Sequence, residues 1–414
     1  MNIIIFSFCF VNNYKERGDP MDMKEILREA TEYSETMKNI RCRLHENAEV
    51  GFELQKTSAI VTGELKKLGY RPMPCGKGIL ATIGNGGGAV LLRADMDALP
   101  IKEESALPFA AKNGNMHACG HDMHTAMLLG AAKILKDHES ELTAPVKLMF
   151  QPAEEILEGA KNMIAGGVLE NPKVEKAMMI HVATALEIPS GSIIIPEAGV
   201  GAPSADHIKT EIFGRSCHGS TPSLGIDANT AAAHALVGLS EIISKELSLT
   251  ERAVLTFGKI CGGTAPNVIS DRATIEGTLK AFDEETRVRI KERIKEICEH
   301  TAKAHRAEAK ISFEHGCPSL KNDEQVLAEI KKFSEKMLGK ENVIFASSFG
   351  SKTVGGSEDF AYVAKKVPSA VISLAAGEKS KGYIFPLHHP KTDFDPSVLP
   401  IGAAILAGFA LQKN

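Results

Sequence analysis

Nine residues, Met116 to His124, read MHACGHDMH and contain His117, Cys119, His121, Asp122 and His124. Thiolate and neutral imidazole are ligands for zinc-like ions, and an Asp beside a ligating His commonly orients its ring. Taken alone, the same residues also fit a polar loop capping the helix that follows. A second group is the pair Glu154 and Glu155 in QPAEE, directly after the apolar run Val146 to Phe150. Adjacent carboxylates at the end of a buried strand are costly unless something solvates or neutralises them. A metal ion would do so and would split their roles, one coordinating and the other facing a substrate water. Two exposed glutamates at the head of a helix, favoured by its dipole, are the competing reading. His181 closes the run AMMIHV, His388 lies in LHHPKTDF beyond SAVISLAA, and Asp95 and Asp97 end RADMD. One His at a strand end is ordinary core chemistry. Repeated strand-end sites of ligand type, together with the Cys/His cluster, point to a metal centre.

Those residues need a scaffold that brings strand ends together. Apolar runs at Ala89–Leu92, Val146–Phe150, Ala177–Val182 and Ala370–Ala375 alternate with helical patterns at His124–Lys136, Ile156–Ala165 and Glu324–Leu338. Helical periodicity also covers Met23 to about Leu68 and Ile401 to Leu411. This alternation predicts an α/β sheet covered on both faces, with its chemistry beyond the strand ends. Gly78–Ile83 and Ala89–Leu92, joined by Gly84–Gly88, read as a hairpin. From about Ser204 the order becomes strand (His207–Phe213), helix (Ala228–Leu247), strands (Ala253–Ile260 and Ala273–Ala281), helix (Glu284–Ala304) and strand (Ala309–Glu314). This is a ferredoxin-like βαββαβ unit. The expected partition is a catalytic domain in two pieces, 1–203 and 318–414, with an inserted domain at 204–317. Residues 1–22, including the apolar run Ile3–Val11, read as an extension that lacks the flanks of a signal peptide.

Composition removes several function classes. A length of 414 residues favours two cores, and 43% hydrophobic with 24% charged residues is ordinary for a globular chain. Lys and Arg are dispersed, Trp is absent and the net charge is −4, so no nucleic-acid surface is expected. No apolar run is long enough to span a membrane. The eight cysteines are scattered without a CxxC pair, which fits a reducing, cytoplasmic setting. GNGGGA leads into a strand, which excludes a dinucleotide fingerprint. Neither a GxSxG elbow nor HExxH occurs.

The motifs RADMDALP, HACGHD, QPAEE, IHV, GGSEDFAY and LHHPKTDF stand in the order seen in the amidohydrolase branch of the aminoacylase/carboxypeptidase superfamily of two-metal hydrolases, which the chain resembles from about Met23 onward. That branch includes hippurate hydrolase, indole-acetyl-amino-acid hydrolases and N-acetyl-diaminopimelate deacetylase. The resemblance implies an exopeptidase-like α/β catalytic domain interrupted by a lid that also dimerises. It implies Cys119, His121, Glu155, His181 and His388 as metal ligands, with the Cys119 thiolate bridging two ions and Glu154 as general base. Asp97 matches the carboxylate that orients a ligand, whereas Asp95 stands where the wider superfamily has His and is set apart from the ligands. Asp359 in GSEDF takes a supporting role. His218 in GRSCHGSTP resembles the lid histidine that reaches across the dimer to the substrate carbonyl, and Asn267 in GGTAPNVIS a lid residue that holds substrate. Two departures stand out. Lys280 follows GTL where relatives carry Arg, and HENAE has Ala48 in place of the usual proline.

The reaction so implied is hydrolysis of the amide bond of a small N-acyl amino acid by a metal-activated water, with two divalent ions, Zn²⁺ or Mn²⁺ and alternatively Co²⁺ or Ni²⁺, in a homodimer. A dipeptidase or carboxypeptidase of the same superfamily is the nearest alternative. A non-catalytic binder of acylated amino acids has no need of Glu154.

Overall fold

The structure is a computed structural model that describes residues 22–349 and 356–412. The run Ile3–Val11 therefore lies outside the described residues. Asp22 caps the first helix, Met23–Glu32, by accepting from the Lys24 amide. The helical pattern that follows divides into Ser34–Glu46 and Gln55–Lys67.

The largest sheet has eight strands, in the order Met73–Cys75, Gly78–Ile83, Val146–Gln151, Ala89–Asp95, Val174–Ala183, Ser369–Ala375, Ile193–Ile195 and Val343–Phe345. The four central strands, 146–151, 89–95, 174–183 and 369–375, run parallel. Three of them, 146–151, 89–95 and 369–375, are buried along their whole length, which is why they read as continuous apolar runs. Helices His121–Asp137 and Leu399–Leu411 cover one face around Met127, Leu128, Leu374 and Leu406. Met149, Met179, Leu320, Phe360 and Val371 pack on the other. Because the central strands share a direction, their C-terminal ends lie at one edge. Glu154, Asp97 and His181 therefore emerge close together, and His388 follows from the fourth strand.

Two expectations are corrected. Gly78–Ile83 and Ala89–Asp95 do not form a hairpin, because Val146–Gln151 lies between them and pairs antiparallel with the first and parallel with the second. The Gly84–Gly88 loop instead passes over the start of that strand, close enough that a side chain at Gly84 would meet Leu142 and the Ala144 carbonyl. The helix expected from Ile156 begins only at Gly159. Ala153 and Leu157 have left-handed φ of 57° and 58°, and the Leu157 amide closes a turn on the Glu154 carbonyl at 2.7 Å. The carboxylate pair thus sits in a strained loop and not at a helix head.

Residues 205–317 build a second, four-stranded antiparallel sheet in the order Ala253–Gly262, Arg272–Ala281, Ala205–Phe213 and Glu308–Cys317. Helices Ala228–Glu241 and Glu284–Ala304 cover one face, with Ile290 and Ile294 buried against it. Numbered along the chain, the strand order is 2-3-1-4, the ferredoxin-like arrangement. A two-stranded ribbon, Cys217–His218 with Val268–Ile269, projects from it. Among the described residues no helix is long and apolar enough to cross a membrane.

Candidate metal centre

Backbone geometry places the Cys/His cluster. Gly120 adopts φ 83° immediately before helix His121–Asp137, and a Cβ there would come within 2.3 Å of Val182 Cγ2. Only glycine allows the chain to turn between Cys119 and His121 while pressed against the neighbouring strand. Cys119 Sγ then lies 3.5 Å from His181 Nε2 and 3.2 Å from His388 Nε2. Glu155 Oε2 is 3.7 Å from His388 Nε2, and Glu155 Oε1 is 3.9 Å from His121 Nε2. Two donor groups share the thiolate, Cys119 with His121 and His181 and Cys119 with Glu155 and His388; His121 also lies within ligand distance of Glu154 with Glu155 and of Asp95 with His124.

These spacings fit ions. Bonds of about 2.0–2.3 Å at tetrahedral angles separate neighbouring donors by about 3.3–3.8 Å, close to the 3.2–3.9 Å between the thiolate, the imidazoles and Glu155. Both ring nitrogens of His121 and Oε1 of Glu155 are buried without a hydrogen-bond partner, a cost that coordination would remove. His181 donates from Nδ1 to its neighbour Val182's carbonyl at 2.7 Å, which leaves the Nε2 lone pair facing Cys119. Burial opposes charge on His121. The carboxylates of Asp95 and Asp97 and the Cys119 sulfur nonetheless hold it well above the usual histidine range, the mark of a site that attracts positive charge.

The flanking carboxylates have different duties. Asp97 accepts the backbone amides of Glu154 at 3.0 Å and Glu155 at 3.1 Å, and its Oδ1 lies 3.6 Å from His121 Nδ1. It therefore fixes the loop and faces the ring. Asp95 is committed to Arg93 at 2.7 Å and to His124 at 2.5 Å. The Val182 amide donates to His124 Nε2 at 2.8 Å, so His124 carries its proton on Nδ1 and gives it to Asp95. Neither His124 nor Asp95 is free to point at an ion. Burial pushes His124 down to about 4, consistent with a neutral ring.

Glu154 lines a cavity of about 590 Å³ together with Cys119, Glu155, His181 and His388. Burial, and then the neighbouring Glu358 and Asp359 carboxylates, push its carboxyl well above the usual range. Lys280 also lines the cavity, its Nζ donating to Ser357 Oγ at 2.8 Å. The apolar wall comes from Leu157, Ala202, Leu320 and Val371. His218 and Asn267 lie apart from this cavity. They are exposed on the two-stranded ribbon, where the Asn267 carbonyl accepts from Gly219 at 2.7 Å. The Ser220 amide donates to His218 Nδ1 at 3.1 Å, which leaves Nε2 as the ring nitrogen able to donate.

Sequence reasoning missed Arg93, buried beneath the carboxylates. Its guanidinium reaches Asp95, Asp359 at 2.9 Å, Glu358 at 3.1 Å and Gln151 at 3.0 Å. Asp359 also accepts from Gln151 and from the Ala160 amide, so it braces the loop after Glu155. The signal was a lone Arg within an apolar strand, which must be paired when buried. Also missed was His45, which bridges Asp122 at 2.9 Å and Glu103 at 3.1 Å.

Burial disfavours the charged form of His45, but its two carboxylate partners raise it to about 9. The folded value exceeds the ordinary unfolded one near 6.5. The contribution is therefore complete below about pH 6.5 and is lost as pH rises through about 9, worth on the order of 3 kcal/mol. Urea unfolding between pH 6 and 10 should show stability declining across this window, with a flatter profile for His45→Gln. Parallel profiles would remove His45 as the cause.

Comparisons with known proteins agree with this geometry. The sequence profile of peptidase family M20/M25/M40 matches residues 91–412. IAA-amino acid hydrolase ILR1-like 2 of Arabidopsis thaliana is 38% identical over 384 residues, 91% of this chain and 84% of that protein. N-acetyl-L-cysteine deacetylase of Bacillus subtilis is 35% identical over 361 residues, 86% of this chain and 82% of that protein. Among solved structures, a dinuclear metal binding peptidase of Bacillus subtilis from the M20 family superposes with a TM-score of 0.74 at 30% identity, covering 92% of this chain and 98% of that one. A fold, a shared-thiolate donor set and a family match over most of the chain lead to one assignment: the chain belongs to peptidase family M20/M25/M40.

Proposed function

We propose that this chain is a metal-dependent amidohydrolase that releases the acyl group from small N-acyl amino acids. One observation carries the reading: two donor groups joined at Cys119 border a cavity into which Glu154, a carboxylate outside the shared-thiolate groups, also faces. Relatives named for hydrolysis of IAA-amino acids and deacetylation of N-acetyl-L-cysteine support the substrate class.

Cys119, His121, Glu155, His181 and His388 hold two divalent ions. Thiolate and imidazole donors suit zinc, the carboxylate suits manganese, and cobalt or nickel fits the same mixed set. When bound there, such ions would supply polarisation of the scissile carbonyl and a lowered pKa of water, toward ~7. Glu154 takes the proton of the attacking water and delivers it to the leaving amine; its buried position favours both directions of transfer. Asp97 keeps the 154–155 backbone and the His121 ring aligned. Lys280 offers one cation at the cavity wall for an anionic substrate group.

Residues 204–317 act as an inserted lid and dimerisation domain between the catalytic segments 1–203 and 318–414. His218 is exposed and does not line its own cavity, which supports donation from His218 of the partner subunit to the carbonyl oxygen, with Asn267 beside it holding substrate. The seven described cysteines are all free, in keeping with a cytoplasmic setting.

The test is a substrate panel assayed with zinc or manganese supplied: N-acetyl amino acids, hippurate, an indole-acetyl amino acid and several dipeptides. Release of carboxylic acid from the acylated compounds is expected. Turnover confined to dipeptides would overturn the amidohydrolase reading in favour of a peptidase.

A further inference from the structure

We infer that Arg41 is a positioning residue that holds the segment carrying His388 against the helix carrying His121, and thereby sets the affinity of the donor set for its ions without touching them. This rests on the ligand assignment proposed above. His388 needs such help. Half of its side chain is exposed, at 51%, and its backbone has a left-handed φ of 64°, so neither packing nor regular structure fixes the ring. Its amide donates to the Ala118 carbonyl at 2.9 Å and its Nε2 lies 3.2 Å from Cys119 Sγ, so its ties to the Cys119 loop are few.

The segment beyond it folds tightly, with the Thr392 amide on the His389 carbonyl at 2.9 Å and the Thr392 hydroxyl on the Pro386 carbonyl. Movement of Asp393 and Phe394 therefore carries His388 with it. Arg41, 2% exposed on helix Ser34–Glu46, meets that segment twice: Nη1 donates to the Phe394 carbonyl at 3.0 Å and Nη2 to Asp393 Oδ1 at 3.1 Å. Its Nε donates to Asp122 Oδ2 at 3.0 Å, next to His121. The planar fork thus spans two ligand-bearing segments at once, which a lysine ammonium cannot reproduce. The third is joined as well, because Thr184 Oγ1, three residues past His181, donates to the Asp393 carbonyl at 3.0 Å. Asp122 keeps a second donor, His45, so loss of Arg41 falls chiefly on the His388 side.

The experiment titrates chelator-stripped protein with zinc in competition with a chromophoric indicator, for the parent, Arg41→Lys, His388→Ala and the double variant. Arg41→Lys is expected to weaken zinc binding ~10- to 100-fold, the scale of groups that orient metal ligands. In the His388→Ala background the same change should have little further effect, since the ring it positions is gone. At saturating zinc, turnover of Arg41→Lys should return close to the parent value. Equal losses with and without His388 would show a general structural role and overturn the inference, as would unaltered affinity. A parent chain that takes up no zinc would instead overturn the ligand assignment. Should Arg41→Lys fold poorly, Asp393→Asn at the 34% exposed end of the clamp provides the same comparison.

Discussion

Replacing Glu154 with Gln is expected to lower kcat by about 10²- to 10⁴-fold, the range of a positioned general acid and base, with little change in KM. The amide keeps the shape of the carboxylate but cannot accept and return a proton. Glu154 stands within ligand distance of His121 and Glu155 but outside the two groups that share the Cys119 thiolate, so with the five ligands proposed above ion uptake should persist. Steady-state kinetics together with measured metal content separate these effects. A Glu154→Gln enzyme with turnover near the parent value would remove it as the base. Loss of metal alongside activity would assign it to coordination.

The second large effect concerns Cys119, whose sulfur stands between His181 and His388 and belongs to both donor groups. Truncation to Ala leaves two imidazoles on one side and a carboxylate with one imidazole on the other, an incomplete set for either ion. Both ions should be held more weakly, and turnover at limiting metal should fall by about 10³-fold, the equivalent of about 4 kcal/mol of lost carbonyl polarisation and water activation. Metal analysis after dialysis checks this. A fully loaded, fully active Cys119→Ala chain would show that the thiolate is not a ligand.

Much of this arrangement was legible along the chain because parallel strands buried on both faces leave an unmistakable apolar run, and their polar ends mark where chemistry can sit. The Cys/His cluster, the Glu154–Glu155 pair, His181 and His388 are candidates on that ground, while the choice of Cys119, Glu155, His181 and His388 among them rests on the resemblance of the motifs. Strand order was not legible. That Val146–Gln151 separates 78–83 from 89–95 depends on pairing between distant segments, to which local turn residues are blind. Arg93 and Lys147 stand out only as lone cations in apolar strands, and most of the groups that pair them lie far along the chain. Lys147 donates to the carbonyls of Val168 and Glu170. His45 read as part of a degenerate motif, yet with Arg41 it forms the buried ionic layer under the Cys/His cluster. The place of His218 and Asn267 apart from the cavity depends on where the ribbon of 217–218 with 268–269 projects, which local spacing does not determine.

The central claim is that this chain holds a pair of divalent ions in one shared-thiolate site and uses them to hydrolyse N-acyl amino acids. The most direct test strips the protein with a chelator, returns zinc or manganese in steps, and follows release of acid from an N-acyl amino acid against ions bound per chain. The account predicts no turnover in the stripped protein and activity that rises to a plateau as occupancy approaches two. Full turnover in stripped protein, or a plateau with no ion bound, would contradict it.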